Sequence, residues 1–380
     1  MSTQTEQEIL KRKQKAYENH EESRNVSSKI PIVFKRNALV EISNINRNDT
    51  VLIKNSLKLN GKIINKTNVE IKNEIKKLND DNNNNNIKKK FDEKPVENID
   101  EFYKDNLFLV PEYAENIYNY LRELELKYRI KKWPFNSNVN EQMRATLIDW
   151  LVEIHLEYDL LQETLHLAVS LVDRYLQIAN DVTVKNLQLV GVCCMAIATK
   201  YEEVQPLAVS DFLYLCNNTY KKYEFLKMER TILNNIDFQI ARPLTIYFLR
   251  RYSLASRADR KQHVCAKYLL DLALLDASLC HVRPSLLAAC AFFISTCLLK
   301  DKFDANYWND QLIFYSKYEY ENIRIYTSKF CKLVLSNDKY FKTVKKKYSA
   351  KEFDSVSNRI HNKMHLLIAF SESKPHGSKF

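Results

Sequence analysis

The chain has 380 residues, 45% of them apolar, which is enough to bury a sizeable core and excludes disorder throughout. Only three glycines occur, which leaves little material for the tight turns of a β-rich fold, so we expect an all-α protein. The formal charge of +11 falls largely in tails and exposed runs such as 88–90 and 345–347, without zinc-finger, homeodomain or aromatic-plus-basic strand patterns, so we expect no direct contact with nucleic acid.

Residues 1 to about 100 are rich in Asn, Lys, Ser and Glu and include an asparagine tract at 82–86. Such a composition cannot bury enough apolar area to offset the entropy of ordering, so we expect residues 1–106 to form a disordered tail. The first ten residues lack the apolar stretch of a signal peptide, and no run approaches the length of about eighteen apolar residues that spans a bilayer. We therefore expect a protein of the nucleus and cytoplasm without contact to a membrane.

The first helix is predicted over 111–128, because Pro111 suits the first helical position and apolar side chains recur on one side. We expect that side to pack against the fold that follows. This apolar side of the helix consists of Tyr113, Ile117, Tyr120, Leu121 and Leu124.

Five helical segments follow in quick succession, and a second series of five begins after the break at Arg242-Pro243. The first series is predicted at 140–157, 163–178, 184–200, 208–217 and 221–235, and the second at 243–253, 259–279, 284–299, 306–315 and 319–334. The third helix of each series is strongly apolar, which is typical of the centre of a bundle. This repeated plan predicts two tandem five-helix domains, at 107–238 (with the lead-in helix) and 239–350, and a C-terminal tail at 351–380.

Arg144 lies where helical periodicity places the core, in the segment from Met143 to Ile154. A guanidinium among apolar side chains costs several kcal/mol unless a carboxylate meets it. Asp173 is the best candidate, because it lies beside Val169 and Leu176 on the inward arc of the next helix. The sequence therefore predicts a buried ion pair between these two helices.

The eight cysteines are scattered over apolar helical stretches without a CxxC pair or metal-like spacing, so we expect reduced core residues. The eight histidines show no metal-ligand spacing, although His361 and His365 lie four apart in a polar stretch. The sequence also lacks GxGxxG, phosphate-loop, GxSxG and HExxH motifs. We therefore expect neither an active site nor a bound cofactor.

Six long motifs lie between about residues 107 and 350. They are VPEYAENIYNYLRELE, MRATLIDWLVEI, LLQETLHLAVSLVDRYL, LQLVGVCCMAIATKYEEV, RPLTIYFLRRYS and QHVCAKYLLDLALLD. In this order and spacing they resemble the cyclins, specifically the mitotic A/B type; VPEYAE looks more A-type and the second domain more B-type, so the subtype stays open. The resemblance implies two tandem cyclin boxes in a non-catalytic subunit that activates a cyclin-dependent kinase at the G2/M transition.

The resemblance also assigns roles to individual charges. An arginine of the family's MRA motif pairs with an aspartate of the next helix, which corresponds to Arg144 and Asp173 as a structural ion pair. Lys200, Tyr201 and Glu229 correspond to kinase-contacting positions. From the residues alone, Lys200 is a cation placed favourably at a helix C-terminus and Glu229 an ordinary solvated carboxylate.

A docking groove for Arg-x-Leu substrate or inhibitor peptides is implied on the helix that carries MRATLIDW. Its residues would be Met143, Leu147, Trp150, Glu153, Leu187 and Gln188. Periodicity alone favours a core role for the apolar members of this set. Thr146 stands where the family usually has isoleucine, and it replaces a methyl-bearing arm with a hydroxyl group.

The segment RNALVEISN, at 36–44, resembles the destruction box of mitotic cyclins, except that Val40 stands where many members have glycine. The matching residues are Arg36, Ala38, Leu39, Ile42 and Asn44. The resemblance implies a ubiquitin ligase as partner and removal by ubiquitin-dependent proteolysis, for which a flexible tail is suited. Candidate acceptors are Lys54, Lys58, Lys62 and Lys66. The alternative is an inert tail segment.

Arg250, His263 and Lys267 match, at the same spacing, a cationic pocket of B-type cyclins that receives a phosphorylated residue. His263 and Lys267 lie four apart and share a helix face, where a phosphate could accept charge-assisted hydrogen bonds. The alternative is solvated surface charge.

Two other functions remain open. One is a transcription-associated cyclin or general-transcription-factor-like protein with the same double box, which would bind promoter complexes, and the other is a helical scaffold without a kinase partner. Transcriptional relatives generally lack both the destruction box and the MRATLIDW groove, so these two matches favour the mitotic function.

Overall fold

The computed structural model describes residues 96–106, 109–134, 138–179, 181–336 and 342–372. All described residues belong to one compact unit, Glu93–Phe380. The predicted destruction box and its candidate acceptor lysines lie outside the described residues.

The all-α prediction is confirmed, because the described residues form fourteen α-helices, four short 3₁₀ turns and no strand. The α-helices are α1 (Pro111–Lys127), α2 (Glu141–Glu157), α3 (Gln162–Leu176), α4 (Val184–Glu202), α5 (Val209–Leu215), α6 (Lys222–Asn235), α7 (Thr245–Ala255), α8 (Arg260–Leu275), α9 (Pro284–Leu299), α10 (Asp310–Ser316), α11 (Tyr320–Leu335), α12 (Lys342–Lys347), α13 (Val356–His361) and α14 (Met364–Glu372).

Helix ends differ from the predicted ones where a polar side chain stops the ladder of backbone hydrogen bonds. The helix predicted to reach residue 279 ends at Leu275, because the Asp276 carboxylate accepts from the Ser278 N–H at 2.7 Å and starts a separate 3₁₀ turn. The helix predicted from 306 begins only at Asp310, where the Asn309 side chain accepts from the Leu312 N–H at 3.0 Å. Local capping chemistry therefore sets these boundaries.

Helices α4 and α9 form the centres of the two five-helix domains, α2–α6 and α7–α11. Every residue of α9 except Leu299 is buried, and α4 is buried from Leu189 to Thr199. A helix that is apolar all round is stable only when neighbours surround it on every side. The two central helices thus fix the position of the helices that carry the predicted site residues.

The predicted packing side of α1 is wrong in part, because Tyr113, Ile117 and Tyr120 are exposed. The helix is held to the second domain by other side chains. Buried Glu125 accepts from the Ser285 N–H at 3.1 Å and from the Ser285 hydroxyl at 2.6 Å, at the N-terminus of α9. An apolar stripe of α1 is therefore left uncovered by the described part of the chain.

Residues 351–372, which the sequence assigned to a tail, carry α13 and α14 and pack on the second domain. The rings of Phe370 and Phe303 stack with centroids 4.3 Å apart, and Ile360 and Leu367 are buried. The apolar run MHLLIAF at 364–370 was the available signal in the sequence.

The cysteines lie within the described residues, where none forms a disulfide and only Cys280 is more than slightly accessible. None of the described helices combines the length and the apolar character that a membrane span requires.

Candidate functional site

Arg144 on α2 and Asp173 on α3 form a bidentate ion pair in the core. The Arg144 Nε donates to Asp173 Oδ1 at 2.6 Å and Nη2 donates to Oδ2 at 2.7 Å, and the arginine is only 1% exposed. The remaining nitrogen, Nη1, donates to the Leu274 carbonyl at 2.9 Å, at the end of α8. One side chain therefore joins two helices of the first domain to the second domain.

Burial opposes the charged form of Arg144, but the attraction and hydrogen bonds of Asp173 outweigh it, and the pKa of the guanidinium is raised above its ordinary value. The Arg144 guanidinium therefore stays charged at every physiological pH. It cannot supply or accept a proton, and its contribution is structural.

Lys200 and Glu229 form an ion pair at the surface, between the last turn of α4 and the middle of α6. The Nζ–Oε1 distance is 2.5 Å, with side-chain exposures of 46% for Lys200 and 11% for Glu229. Neighbouring Tyr201 is half exposed. The three predicted residues are thus brought together as a largely buried carboxylate, an accessible ammonium group and an accessible ring.

Two exposed aromatic residues extend this region: Tyr120, which the sequence analysis assigned to the packing side of α1, and Phe238, which it did not assign. Tyr120 of α1 and Phe238, just after α6, line a cleft of about 180 Å³ together with Tyr201. The Phe238 side chain is 62% exposed, and its backbone and that of Asp237 are left-handed, with φ of 55° and 52°. The signal in the sequence is a phenylalanine three residues after a helix end, to which no role was assigned. We call Tyr120, Tyr201 and Phe238 the aromatic surface.

The predicted docking groove lies where α2 packs against α4. Leu147 and Leu187 are buried, Met143, Trp150 and Gln188 are partly buried, and the Glu153 side chain is exposed. Gly191 of α4 permits the close approach, because a Cβ atom built there would lie 2.6 Å from Cδ1 of Leu147. Thr146 is exposed and donates to the Gln142 carbonyl of its own helix at 2.8 Å. The arrangement offers a shallow apolar surface with a carboxylate at one end.

The three predicted phosphate-pocket residues lie near one another but do not form a free cationic cluster. Arg250 makes an ion pair with Glu163 of α3. His263 lies with Nδ1 2.8 Å from the Ser253 hydroxyl, and burial, together with the charges of Lys267 and Arg250, lowers its pKa to about 4. His263 is therefore neutral at pH 7, and a phosphate would have to displace Glu163 to reach the arginine.

A buried polar cluster centred on Asp271 of α8 was missed by the sequence analysis. The carboxylate is 0% exposed. It accepts at 2.9 Å from Gln162 and lies 3.0 Å from His166 Nε2, both on α3. On its other oxygen it accepts from Lys347 Nζ and from the Tyr348 hydroxyl, each at 2.9 Å. We call these five residues the Asp271 cluster.

The charges of the Asp271 cluster keep its carboxylate ionised. Burial alone would raise the pKa of Asp271, but Lys347 and the His166 hydrogen bond hold it well below the usual range. The expectation that the 345–347 lysine run is exposed is wrong for Lys347, which is buried against this carboxylate. An aspartate inside the apolar stretch YLLDLALL was the available signal.

Among the described residues, no three His, Cys, Asp or Glu side chains are grouped so that they could hold a metal ion.

Comparison with known families gives two adjacent matches. The family model described as "Cyclin, N-terminal domain" matches residues 116–241, and "Cyclin, C-terminal domain" matches residues 243–361. A solved viral cyclin from herpesvirus saimiri superposes with a TM-score of 0.49 and 22% identity, over 57% of this chain and 96% of that one.

Relatives in animals carry the name G2/mitotic-specific cyclin-B or cyclin-B2. The Drosophila melanogaster cyclin-B is 40% identical over 70% of this chain and 52% of its own length, and the Patella vulgata cyclin-B is 40% identical over 69% and 64%. The Oryzias javanicus cyclin-B2 is 40% identical over 69% of this chain and 68% of that protein. The chain thus spans between about half and two thirds of the length of these relatives. Two adjacent family matches over most of the chain, on the twin helical domains described above, show that it belongs to the cyclin family.

Proposed function

We propose that this cyclin is the regulatory subunit of a cyclin-dependent serine/threonine kinase and that it drives the G2/M transition. The observation that carries the proposal is the half-buried Lys200–Glu229 pair beside the aromatic surface, in a chain whose relatives are named G2/mitotic-specific cyclin-B. These relatives also favour the mitotic function over the transcriptional one and over a scaffold without a kinase.

The proposed contact combines an accessible charge with accessible rings. Aromatic residues anchor protein interfaces because they bury much apolar area at low entropic cost, and a flanking charge sets the register. The uncovered stripe of α1, Tyr113, Ile117 and Tyr120, shares Tyr120 with the aromatic surface. The kinase would therefore cover α1 together with the ends of α4 and α6.

Activation in this proposal is allosteric, and the cyclin itself transfers no phosphate. A protein kinase needs a strand lysine paired with a glutamate of its mobile regulatory helix, and an ordered activation segment, before ATP and substrate are aligned. A partner that binds this arrangement more tightly than the inactive one shifts the population towards it. A scaffold whose helices surround two buried central helices can impose such a geometry on a mobile partner.

The experiment for the contact is the double substitution Lys200→Ala with Glu229→Ala. Removing both partners avoids leaving a largely buried carboxylate unpaired, so the fold should persist while kinase association is lost. The matched control is Lys302→Ala with Asp304→Ala, a Lys–Asp pair at the surface of the second domain, which should leave association unchanged. Co-purification with the kinase measures association and circular dichroism measures helicity. Retained association in the first variant would show that the interface lies elsewhere.

We further propose that the groove between α2 and α4 docks Arg-x-Leu peptides of substrates or inhibitors. The partly buried Met143 and Trp150 offer apolar area for the leucine, and the exposed Glu153 carboxylate suits a bidentate arginine contact. Trp150→Ala should weaken peptide binding at least about tenfold, because an aromatic anchor carries a large share of such binding energy. Kinase association should not change in this variant.

For turnover, we propose that the segment 36–44 recruits a ubiquitin ligase. Arg36→Ala with Leu39→Ala should then prolong the life of the protein after metaphase, and unchanged decay would exclude the degron. We also propose that Arg250, His263 and Lys267 receive a phosphorylated residue, which would have to exchange with Glu163 for the Arg250 guanidinium.

A further inference from the structure

The short helix α12 reaches from the second domain to α2, the helix that bears most of the docking groove. Its Thr343 is buried, and the hydroxyl donates to Asp149 Oδ2 at 2.8 Å. The same oxygen lies 3.3 Å from Oε1 of Glu153. A residue nearly two hundred positions away in sequence thus contacts the carboxylate at the end of the groove.

Asp149 and Glu153 lie one turn apart on α2, where two carboxylates repel each other. Thr343 donates both its hydroxyl and its backbone N–H towards Asp149, and these bonds partly offset the burial that raises the pKa of this aspartate. Because the single hydroxyl proton stands between the two carboxylates, it limits the orientations that the exposed Glu153 side chain can take.

The far end of α12 is fastened independently. Lys347 and Tyr348 donate to buried Asp271, and Lys347 also lies 3.1 Å from His155 Nε2 on α2. A side chain that orients another group is effective only when its own backbone is fixed. The Asp271 cluster supplies that fixed support, so α12 holds Thr343 in place against α2.

We propose that Thr343 is a positioning residue for peptide docking: through its hydroxyl it holds the Glu153 carboxylate in the orientation that receives the arginine of an Arg-x-Leu ligand. The proposal rests on the docking function proposed above. It predicts that the contribution of Thr343 is coupled to the positive charge of the ligand, whereas a residue that only fastens α12 to α2 would affect every ligand alike.

The test measures fluorescence anisotropy of two labelled peptides with the full chain, one containing Arg-x-Leu and one with citrulline, a neutral analogue, in place of arginine. Thr343→Val keeps the shape of the side chain and removes its donor. It should weaken binding of the arginine peptide by about fivefold, the effect of one hydrogen bond, and leave the citrulline peptide unchanged. Thr343→Ser, which retains the hydroxyl, should restore the discrimination.

The matched control is Thr327→Val on α11, where a buried threonine hydroxyl donates to the Ile323 carbonyl of its own helix at 2.8 Å. It should bind both peptides like the unchanged chain. If the Thr343→Val variant does not fold, peptide binding by Thr343→Ala, which lacks the hydroxyl, is compared with binding by Thr343→Ser, which retains it. Equal losses for both peptides, or no loss for either, would overturn the positioning role. Failure of the unchanged chain to bind either peptide would instead remove the docking function itself, and the inference with it.

Discussion

A guanidinium buried as deeply as that of Arg144 is compatible with the fold only while its carboxylate is present. Periodicity alone places Arg144 and Asp173 on the inward arcs of consecutive helices, and the structure has them paired at 2.6 and 2.7 Å. The prediction was accessible because a single charge in an otherwise apolar arc demands a partner on a neighbouring helix. For single residues, the sequence predicts contacts best where a charged side chain occupies a position that periodicity assigns to the core.

Asp173→Asn tests the ion pair. The substitution keeps the shape of the side chain but leaves a buried cation without its counter-charge, so the free energy of unfolding should fall by roughly 3–5 kcal/mol. Urea unfolding followed by circular dichroism measures the change. Asp304→Asn is the control, because it removes one partner of the Lys302–Asp304 pair at the surface and should leave stability unchanged. A loss at Asp173 no larger than that of the control would contradict the structural role.

His155 makes stability depend on pH. Burial first, and then the adjacent charge of Lys347, lower its pKa to about 3. The unfolded chain, with a histidine pKa of about 6.5, binds the proton more readily than the folded chain. The contribution of neutral His155 to the free energy of unfolding is therefore complete above pH 6.5 and is lost as the pH falls towards the pKa of the folded state. At pH 5.5 the free energy of unfolding should be about 1.4 kcal/mol lower than at a pH well above 6.5.

Urea midpoints measured between pH 7.5 and 5.5 test the contribution of His155. His155→Gln should flatten the slope of the unfolding free energy in this range, since glutamine does not titrate. An unchanged slope would show that other groups cause the pH dependence, with His263, whose pKa is lowered to about 4, as the first to examine.

At the scale of elements, periodicity and capping predicted the long helices, but they did not predict which faces of these helices are covered. The stripe of α1 was correctly identified as apolar, but Tyr113, Ile117 and Tyr120 are exposed. Their exposure was not predicted, because periodicity cannot tell whether this chain or a partner covers an apolar face. The helices α12–α14 were missed, since each is short and has only a few buried side chains. Their contacts depend on tertiary packing rather than on local propensity.

Gly191→Ala tests the packing of α4 against α2. The new methyl group would lie 2.6 Å from the Leu147 Cδ1 atom, and displacing this buried side chain should cost more than the helix gains from losing a glycine. We expect a net destabilisation of about 1 kcal/mol and weaker Arg-x-Leu peptide binding. Adding Leu147→Val makes room for the methyl group and should recover stability. A more stable single variant would show that α2 and α4 are not tightly packed here.

At the scale of the whole molecule, buried charges connect the two domains. Arg144 reaches the carbonyl of Leu274, and Asp271 lies against Gln162 and His166 of the first domain. The Asp271 cluster could not be derived from the sequence, because its members lie 76 to 109 positions from Asp271 and no local pattern links them. The twin-domain plan could be derived, since the order of helices repeats. In the function proposed above, the molecule is a rigid body that presents one fixed surface to a kinase.

The most direct test of this account is phosphorylation of a linker-histone peptide by a cyclin-dependent kinase with and without the purified chain. If the kinase alone populates its active arrangement at about 1%, the account predicts a rise in rate of up to about 100-fold when both proteins are present, and no phosphate transfer by the chain alone. The Lys200→Ala, Glu229→Ala variant should give no rise. Phosphate transfer by the chain without a kinase, or failure to stimulate any cyclin-dependent kinase, would contradict the account.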